Sequence, residues 1–318
     1  MKYNVGVSIG TRFIQAGIVD KYGRLLARTK TVTDAERSLE DIVADAAQLI
    51  ITLLDTEEVE IKSVKSIGVA CPGVVDEEGT KIIKTHMMKF SNAPIRDAFK
   101  AHFSCPIYVE NDAHCIALAE SVSGAAEDLD YSVTIHIGNG VSGGIIINNK
   151  LYTGFNGAGS VLGHIVIDKN GKECSCGRRG CFETVCSEKA LIEETRQAAI
   201  RNPESKIMKI CENDLNAIDG TTAYEAMMLG DPDAKQIFDT YVENMAVALT
   251  NIANILMPEV IVLTGGITVL GESLLRPIRE KMYEEIYSKE TTVPMLKLSE
   301  MGSASVLIGA AMLEAYKK

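Results

Sequence analysis

The sequence predicts an α/β protein made of two related halves with a cleft between them. Three observations carry that prediction. A strand–strand–turn opening over residues 3–29 recurs in outline over residues 132–152. Short β-rich runs alternate with segments of helical periodicity, and the chain turns mostly helical only past residue 181. With 318 residues, the chain is long enough for two medium α/β domains or one large one.

Taken in order, residues 3–9 are β-rich, Gly10-Thr11 breaks the run, and residues 13–19 are apolar again. Asp20-Lys21-Tyr22-Gly23 reads as a turn before a third strand over 24–29. A helix over 38–54 places Leu39, Ile42, Val43, Ala46, Leu49, Ile50 and Leu53 at three- and four-residue spacing. A buried strand over 66–70 runs into Cys71-Pro72-Gly73; a short helix covers 94–103 and a strand 107–109. A helix over 113–123 starts just after Asn111-Asp112. In the second half a strand over 132–137 leads into a glycine-rich stretch, 138–144, and a strand over 145–147. Asn148-Asn149-Lys150 is a hairpin turn into Leu151-Tyr152. Helices continue to about residue 257, followed by a strand over 260–263, the turn Thr264-Gly265-Gly266, a helix over 272–287 and a small-residue helix over 304–316.

Composition narrows the function. Apolar residues are 46% and charged residues 24%, a globular balance, and the net charge of -11 argues against a general surface for nucleic acid or anionic membrane. No apolar run approaches the roughly 18 residues that cross a bilayer, and Gly and Ser interrupt the N-terminal apolar stretch too early for a secretory signal. A cytoplasmic protein is expected. Eight cysteines in a chain this long are not a disulfide scaffold, but three of them crowd into residues 174–181.

That crowding is the strongest chemical signal. His164, Cys174, Cys176 and Cys181 supply one imidazole and three thiols on glycine-bearing loops, a donor set suited to a closed, tetrahedral, structural zinc ion. A redox pair or scattered buried cysteines are the alternatives, and a Cys-x-Cys pair is sterically poor for a disulfide. Gly138-Asn139-Gly140-Val141-Ser142-Gly143 matches the dinucleotide spacing G-x-G-x-x-G, but Ile145-Ile146-Ile147 follows, so the loop opens a strand and the dehydrogenase reading fails. It is either a plain tight turn or a backbone nest for phosphate. Asp112 is either a helix N-cap or a carboxylate at a strand's carboxyl end, placed to accept a hydroxyl proton in phosphoryl transfer. Gly265-Gly266 either ends its strand or lets a nucleotide lie against the backbone.

Several of these motifs together resemble the ROK family (repressor, open reading frame, kinase) of the sugar kinase/Hsp70/actin superfamily. The segment G-H-x9-C-x-C-G-x2-G-C-x-E is intact from Gly163 to Glu183, E-N-D-A from Glu110 to Ala113, and P-G-x-V-D from Pro72 to Asp76. The resemblance implies two actin-like (ribonuclease H-like) α/β domains with an interdomain cleft and a zinc-bearing loop. The small N-terminal domain would be residues 1–112 plus the C-terminal helix 303–318; the larger would be 113–302, with the zinc loop at 164–183.

The function implied is an ATP-dependent hexose kinase acting at the 6-hydroxyl of a glucose-like sugar, allose or an N-acetylhexosamine. Asp112 would be the general base, and Asn111 and Glu183 sugar contacts. His164 would ligate zinc and sit beside the sugar, with Cys174, Cys176 and Cys181 completing the metal site. Gly10 and Thr11 would form a first phosphate loop and Gly138–Gly144, with Asn139 and Gly140, a second; Gly265 and Gly266 would lie by the adenosine. ATP, Mg2+ and structural Zn2+ are the implied cofactors. A small-molecule sugar and a second copy of the chain, as a homodimer, are the implied partners, with no nucleic acid and no membrane.

The family's helix-turn-helix branch carries an extra N-terminal domain; with a first strand at residue 3, the sugar-kinase branch is expected instead. Three positions depart from the pattern. Ser8 replaces an aspartate of the first phosphate loop, Asn139 a threonine of the second, and Val161 the glutamate of the sugar motif E-x-G-H. Ser8 and Val161 support an alternative, a sugar-binding regulatory protein without catalysis.

Overall fold

The computed structural model describes residues 2–85 and 87–316. The chain runs through β1 (Tyr3–Ile9), β2 (Phe13–Val19), β3 (Leu25–Val32), α1 (Leu39–Thr56), β4 (Val64–Cys71), β5 (Val74–Val75), β6 (Ile82–Lys84), α2 (Ile95–Lys100), β7 (Ile107–Asn111) and α3 (Asp112–Ser123). Next come β8 (Tyr131–Ile137), β9 (Val141–Ile147) and β10 (Lys150–Tyr152). The helices α4 (Glu183–Cys186), α5 (Glu188–Arg201), α6 (Lys206–Ile210), α7 (Thr222–Met228) and α8 (Pro232–Leu256) follow. The chain ends in β11 (Val260–Gly265), α9 (Glu272–Glu285), β12 (Met295–Leu298) and α10 (Ser305–Tyr316).

Two five-stranded sheets have the orders β3-β2-β1-β4-β7 and β10-β9-β8-β11-β12; β5 and β6 form a small third sheet. Counted along the chain, both large sheets read third, second, first, fourth, fifth, so the recurrence visible in the sequence is a repeat of a whole sheet. Both are mixed: β1–β2 and β2–β3 are antiparallel and β1–β4 and β4–β7 parallel, while β9–β10 is antiparallel and β11–β12 parallel.

Local chemistry accounts for the elements. Ser38 caps α1 by accepting from the Asp41 N–H, and the apolar stripe from Leu39 to Leu54 is buried. β1 is buried from Val5 to Ile9, as a central strand should be, whereas the edge strand β3 alternates half-buried and exposed residues. Asn148 and Asn149 both take positive φ, 52° and 59°, the geometry of a two-residue hairpin turn between β9 and β10.

Chain contacts group the protein into two compact units. One comprises Met1–Thr134, Gly143–Ser160 and Glu300–Lys318; the other Ile135–Ser142 and Val161–Ser299. The first therefore extends past the boundary expected at residue 112, because α3 packs on α10. The glycine-rich stretch also differs from its expected limits: only Gly138–Gly140 form the turn, and Ser142–Gly144 already belong to β9. Gly144 is small for packing, since a Cβ there would lie 2.5 Å from the Cβ of Ala117 on α3. Among the described residues no helix is long and apolar enough to cross a membrane.

α10 is apolar on nearly every side, and glycines let its backbone and its neighbours' approach closely. A Cβ on Gly6 of β1 would lie 1.9 Å from the Leu307 carbonyl oxygen, and one on Gly68 of β4 1.7 Å from that of Ala310. A Cβ on Gly309 of α10 itself would lie 1.7 Å from the Cys115 carbonyl oxygen of α3. Backbone atoms have no rotamer by which to step aside. Gly68→Ala and Gly309→Ala are expected to destabilise the chain by about 2 kcal/mol or more in urea unfolding; wild-type midpoints would overturn this account of the packing.

Candidate functional site

In the first unit, β7 delivers Asn111 and Asp112 to the start of α3. Asn111, rather than Asp112, is the N-cap: its Oδ1 accepts from the N–H groups of Ala113 (2.9 Å) and His114 (3.3 Å). Its Nδ2 donates to the Gly73 carbonyl oxygen (2.9 Å), tying the helix start to the Cys71-Pro72-Gly73 turn after β4. Asp112 is thereby released from capping and is the first helical residue, where its Oδ1 accepts from the adjacent Ala113 N–H (2.9 Å). Burial pushes its carboxyl up to about 6, against the pull of the Ala113 N–H and of His114. Behind it the His114 ring meets Glu110 at 3.0 Å, both side chains buried. The turn Gly10-Thr11 joins β1 to β2, where the Gly10 N–H donates to the Phe13 carbonyl (3.0 Å). Ser8 is buried in β1.

In the second unit, His164, Cys174, Cys176 and Cys181 come together with all four ligand atoms within 4.8 Å of one another. The His164 Nδ1 lies 3.4 Å from the Cys174 Sγ, and the Cys176 and Cys181 sulfurs are 3.6 Å apart. Zn–S and Zn–N bonds of about 2.3 and 2.0–2.1 Å at tetrahedral angles demand edges of about 3.8 and 3.6 Å, so these residues could hold zinc with little rearrangement. The Arg178 backbone N–H holds the exposed Cys176 thiol below its usual range. Burial pushes Cys181 up to about 12, so a thiolate there at neutral pH calls for a cation beside it, which a dication among the four donors would supply.

The loop carrying the His/Cys cluster ends at Glu183, two residues past Cys181, with fully buried Phe182 between them. One Glu183 oxygen accepts from the Val141 N–H (3.0 Å), where β9 leaves the glycine turn. Gly140 leaves room for this contact, since a Cβ there would lie 2.3 Å from that oxygen. Gly163 brings the segment before His164 against the Val141 carbonyl, with 1.8 Å to an added Cβ. The His/Cys cluster, Glu183 and the turn Gly138-Asn139-Gly140 thus form one connected assembly. Val161, just before it, is 53% exposed.

Gly265 ends β11 at φ 120°, with 1.8 Å from an added Cβ to the Ile137 carbonyl oxygen, so the 265–266 turn lies beside the end of β8. Sequence reasoning passed over Glu188, whose carboxylate borders Gly266. Following Ser187, which accepts from the Ala190 N–H, Glu188 reads locally as an ordinary first-turn acid of α5.

A family model described as ROK family matches residues 4–316. A glucokinase of Thermotoga maritima is 30% identical over 310 residues, covering 97% of this chain and 96% of that protein. A xylose repressor of Bacillus subtilis is 28% identical over 98% of this chain and 76% of the repressor. Among solved structures, a ROK family glucokinase from Streptomyces griseus in complex with glucose and AMPPNP superposes with a TM-score of 0.84 at 29% identity, over 98% of each chain.

The donor set sets a direct test. Metal analysis of the purified chain should find about one zinc per chain. Cys176→Ser should lower both the zinc content and the thermal unfolding midpoint, because ligand binding and folding are linked. A variant that keeps all its zinc and its full midpoint would remove Cys176 from the metal site.

Proposed function

The chain belongs to the ROK family, and we propose that within it the protein is an ATP-dependent sugar kinase transferring the γ-phosphoryl group to the 6-hydroxyl of a hexose. The observation that carries this reading is the division of labour at the start of α3. Asn111 does the capping, so Asp112 keeps a free carboxylate oxygen with an affinity for protons near neutrality. A general base works best in that range.

In the proposed step Asp112 accepts the proton of the sugar hydroxyl as its oxygen attacks the γ-phosphorus in line. The bond from phosphorus to the bridging oxygen breaks, and ADP leaves with the electron pair. Glu183 offers its second oxygen, and Asn111 its remaining N–H, as hydroxyl partners. The turns Gly10-Thr11 and Gly138-Asn139-Gly140 present backbone to phosphate, and the turn 265–266 lies by the adenosine. Mg2+ would neutralise phosphate charge. Zinc on His164, Cys174, Cys176 and Cys181 would hold the loop that carries Glu183 in shape. Relatives support the class: the Streptomyces griseus structure is a glucokinase with glucose and an ATP analogue.

A second reading, a sugar-responsive binding protein without catalysis, rests on Val161 and Ser8, which remove a carboxylate from the sugar side and from the phosphate side. The similarity to xylose repressors is consistent with it. ADP release measured over a hexose panel with Mg-ATP separates the two.

The kinase reading makes Asp112 do two things at once. Its carboxyl is raised from about 3.9 unfolded to about 6 folded, so the native state holds more protons between those values and stability falls as pH rises through that window. At pH 7 Asp112→Asn should therefore gain on the order of 2 kcal/mol of stability while losing about 10²-fold or more in turnover. In the wild type, kcat/KM should fall about tenfold per pH unit below about 6. Undiminished turnover in the variant would take Asp112 out of the mechanism.

Val161 governs which sugar fits. Val161→Glu should shift preference towards glucose by about tenfold to a hundredfold in relative kcat/KM, the worth of one hydrogen bond to a charged acceptor. Unchanged ratios among sugars would show that this position does not face the substrate.

A further inference from the structure

Three glycine-bearing turns of the second unit meet at one residue, Glu188. The Glu188 N–H donates to the Gly138 carbonyl oxygen (2.9 Å), which locks the start of α5 to the turn after β8. The side chain then reaches the other two turns. A Cβ added to Gly266 would lie 2.7 and 3.0 Å from its two oxygens, and one added to Gly220 would lie 2.9 Å from Oε1. Each of these positions is bare of a side chain where it borders Glu188.

The carboxylate itself is half-buried and lacks a partner. Among the described residues no hydrogen bond or ion pair engages its oxygens. The charge acting on it is that of Asp219, and burial together with Asp219 holds its carboxyl above the usual range. Asp219 is not free to share a ligand on the same terms, since its Oδ1 accepts from the backbone N–H and the hydroxyl of both Thr221 and Thr222.

A half-buried carboxylate beside a second acid repels phosphate and favours neutral hydroxyl donors. A divalent cation would need several more oxygen ligands than one free carboxylate provides. A vicinal diol needs only this: two O–H groups donating to the two oxygens of one carboxylate, as acidic side chains do for ribose in dinucleotide-binding folds. The turns that flank Glu188, 138–140 and 265–266, are the ones assigned above to phosphate and adenosine, and the ribose lies between those two parts of the nucleotide.

We propose that Glu188 recognises the ribose hydroxyls of the nucleotide and makes the protein selective for ribonucleotides over deoxyribonucleotides. The inference rests on the kinase reading for the identity of the ligand, but its test reads binding alone. Titration calorimetry of the full chain with Mg-ADP and with Mg-2′-deoxy-ADP should give about tenfold weaker binding of the deoxy form, the loss of a hydrogen bond to a charged acceptor. In Glu188→Ala that ratio should collapse towards one, chiefly through weaker ADP binding. Glu188→Gln, which keeps one acceptor oxygen, should fall between them. Wild type that binds both nucleotides equally overturns the ribose assignment and leaves the kinase reading standing. Wild type that binds neither overturns both. A Glu188→Ala chain that folds, by its unfolding midpoint, and still discriminates tenfold also overturns the assignment.

Discussion

The near-contact of backbones around α10 is the constraint on which the first unit depends. Gly6, Gly68 and Gly309 let one apolar helix sit against β1, β4 and α3 at distances that no side chain tolerates. Helix and sheet are then held in a single register, because sliding α10 by one residue would bring a Cβ into a carbonyl oxygen. α3 is pinned by the same helix, and its first turn carries Asn111 and Asp112. The placement of the proposed base therefore traces back to three missing methyl groups, one of them on the C-terminal helix.

The second unit solves a similar problem with soft ligands in place of glycine packing. Its proposed sugar contact, Glu183, sits on a four-residue helix too short to hold itself. Two ties would hold it instead: the Cys181 sulfur two residues before, in the His/Cys cluster that could hold a metal, and the Val141 N–H across the turn. Loops rich in Gly, Cys and charged residues lack the apolar surface to build a core of their own, and a metal bound by the cluster would substitute for it.

Much of this was legible in the sequence, for reasons that differ from residue to residue. The convergence of His164, Cys174, Cys176 and Cys181 could be read because a His and three Cys at that spacing have few other uses. The hairpin character of Gly138–Gly140 followed from Ile145-Ile146-Ile147, which suits a strand far better than a helix. The start of β9 at Val141 was hidden, since Ser142-Gly143-Gly144 looks like loop until the packing of Gly144 on Ala117 is seen. Which of Asn111 and Asp112 caps α3 was not decidable, because either side chain can do it; the tie from Asn111 to Gly73 decides it through a residue 38 positions away. The unit boundary past residue 112 and the setting of Glu188 have the same origin. Both depend on contacts between segments distant in sequence, and no local pattern records those.

The position of α10 has a consequence for the birth of the molecule. During synthesis β1, β4 and β7 leave the ribosome long before the helix that covers them, and at roughly 5–20 residues per second that interval is on the order of ten seconds or more. Through it, the face around Gly6 and Gly68 stays open, an apolar surface with no side chains to shield its backbone. A nascent chain in this state is a natural client for chaperones, and one cut short before residue 305 would expose that face permanently and be open to degradation.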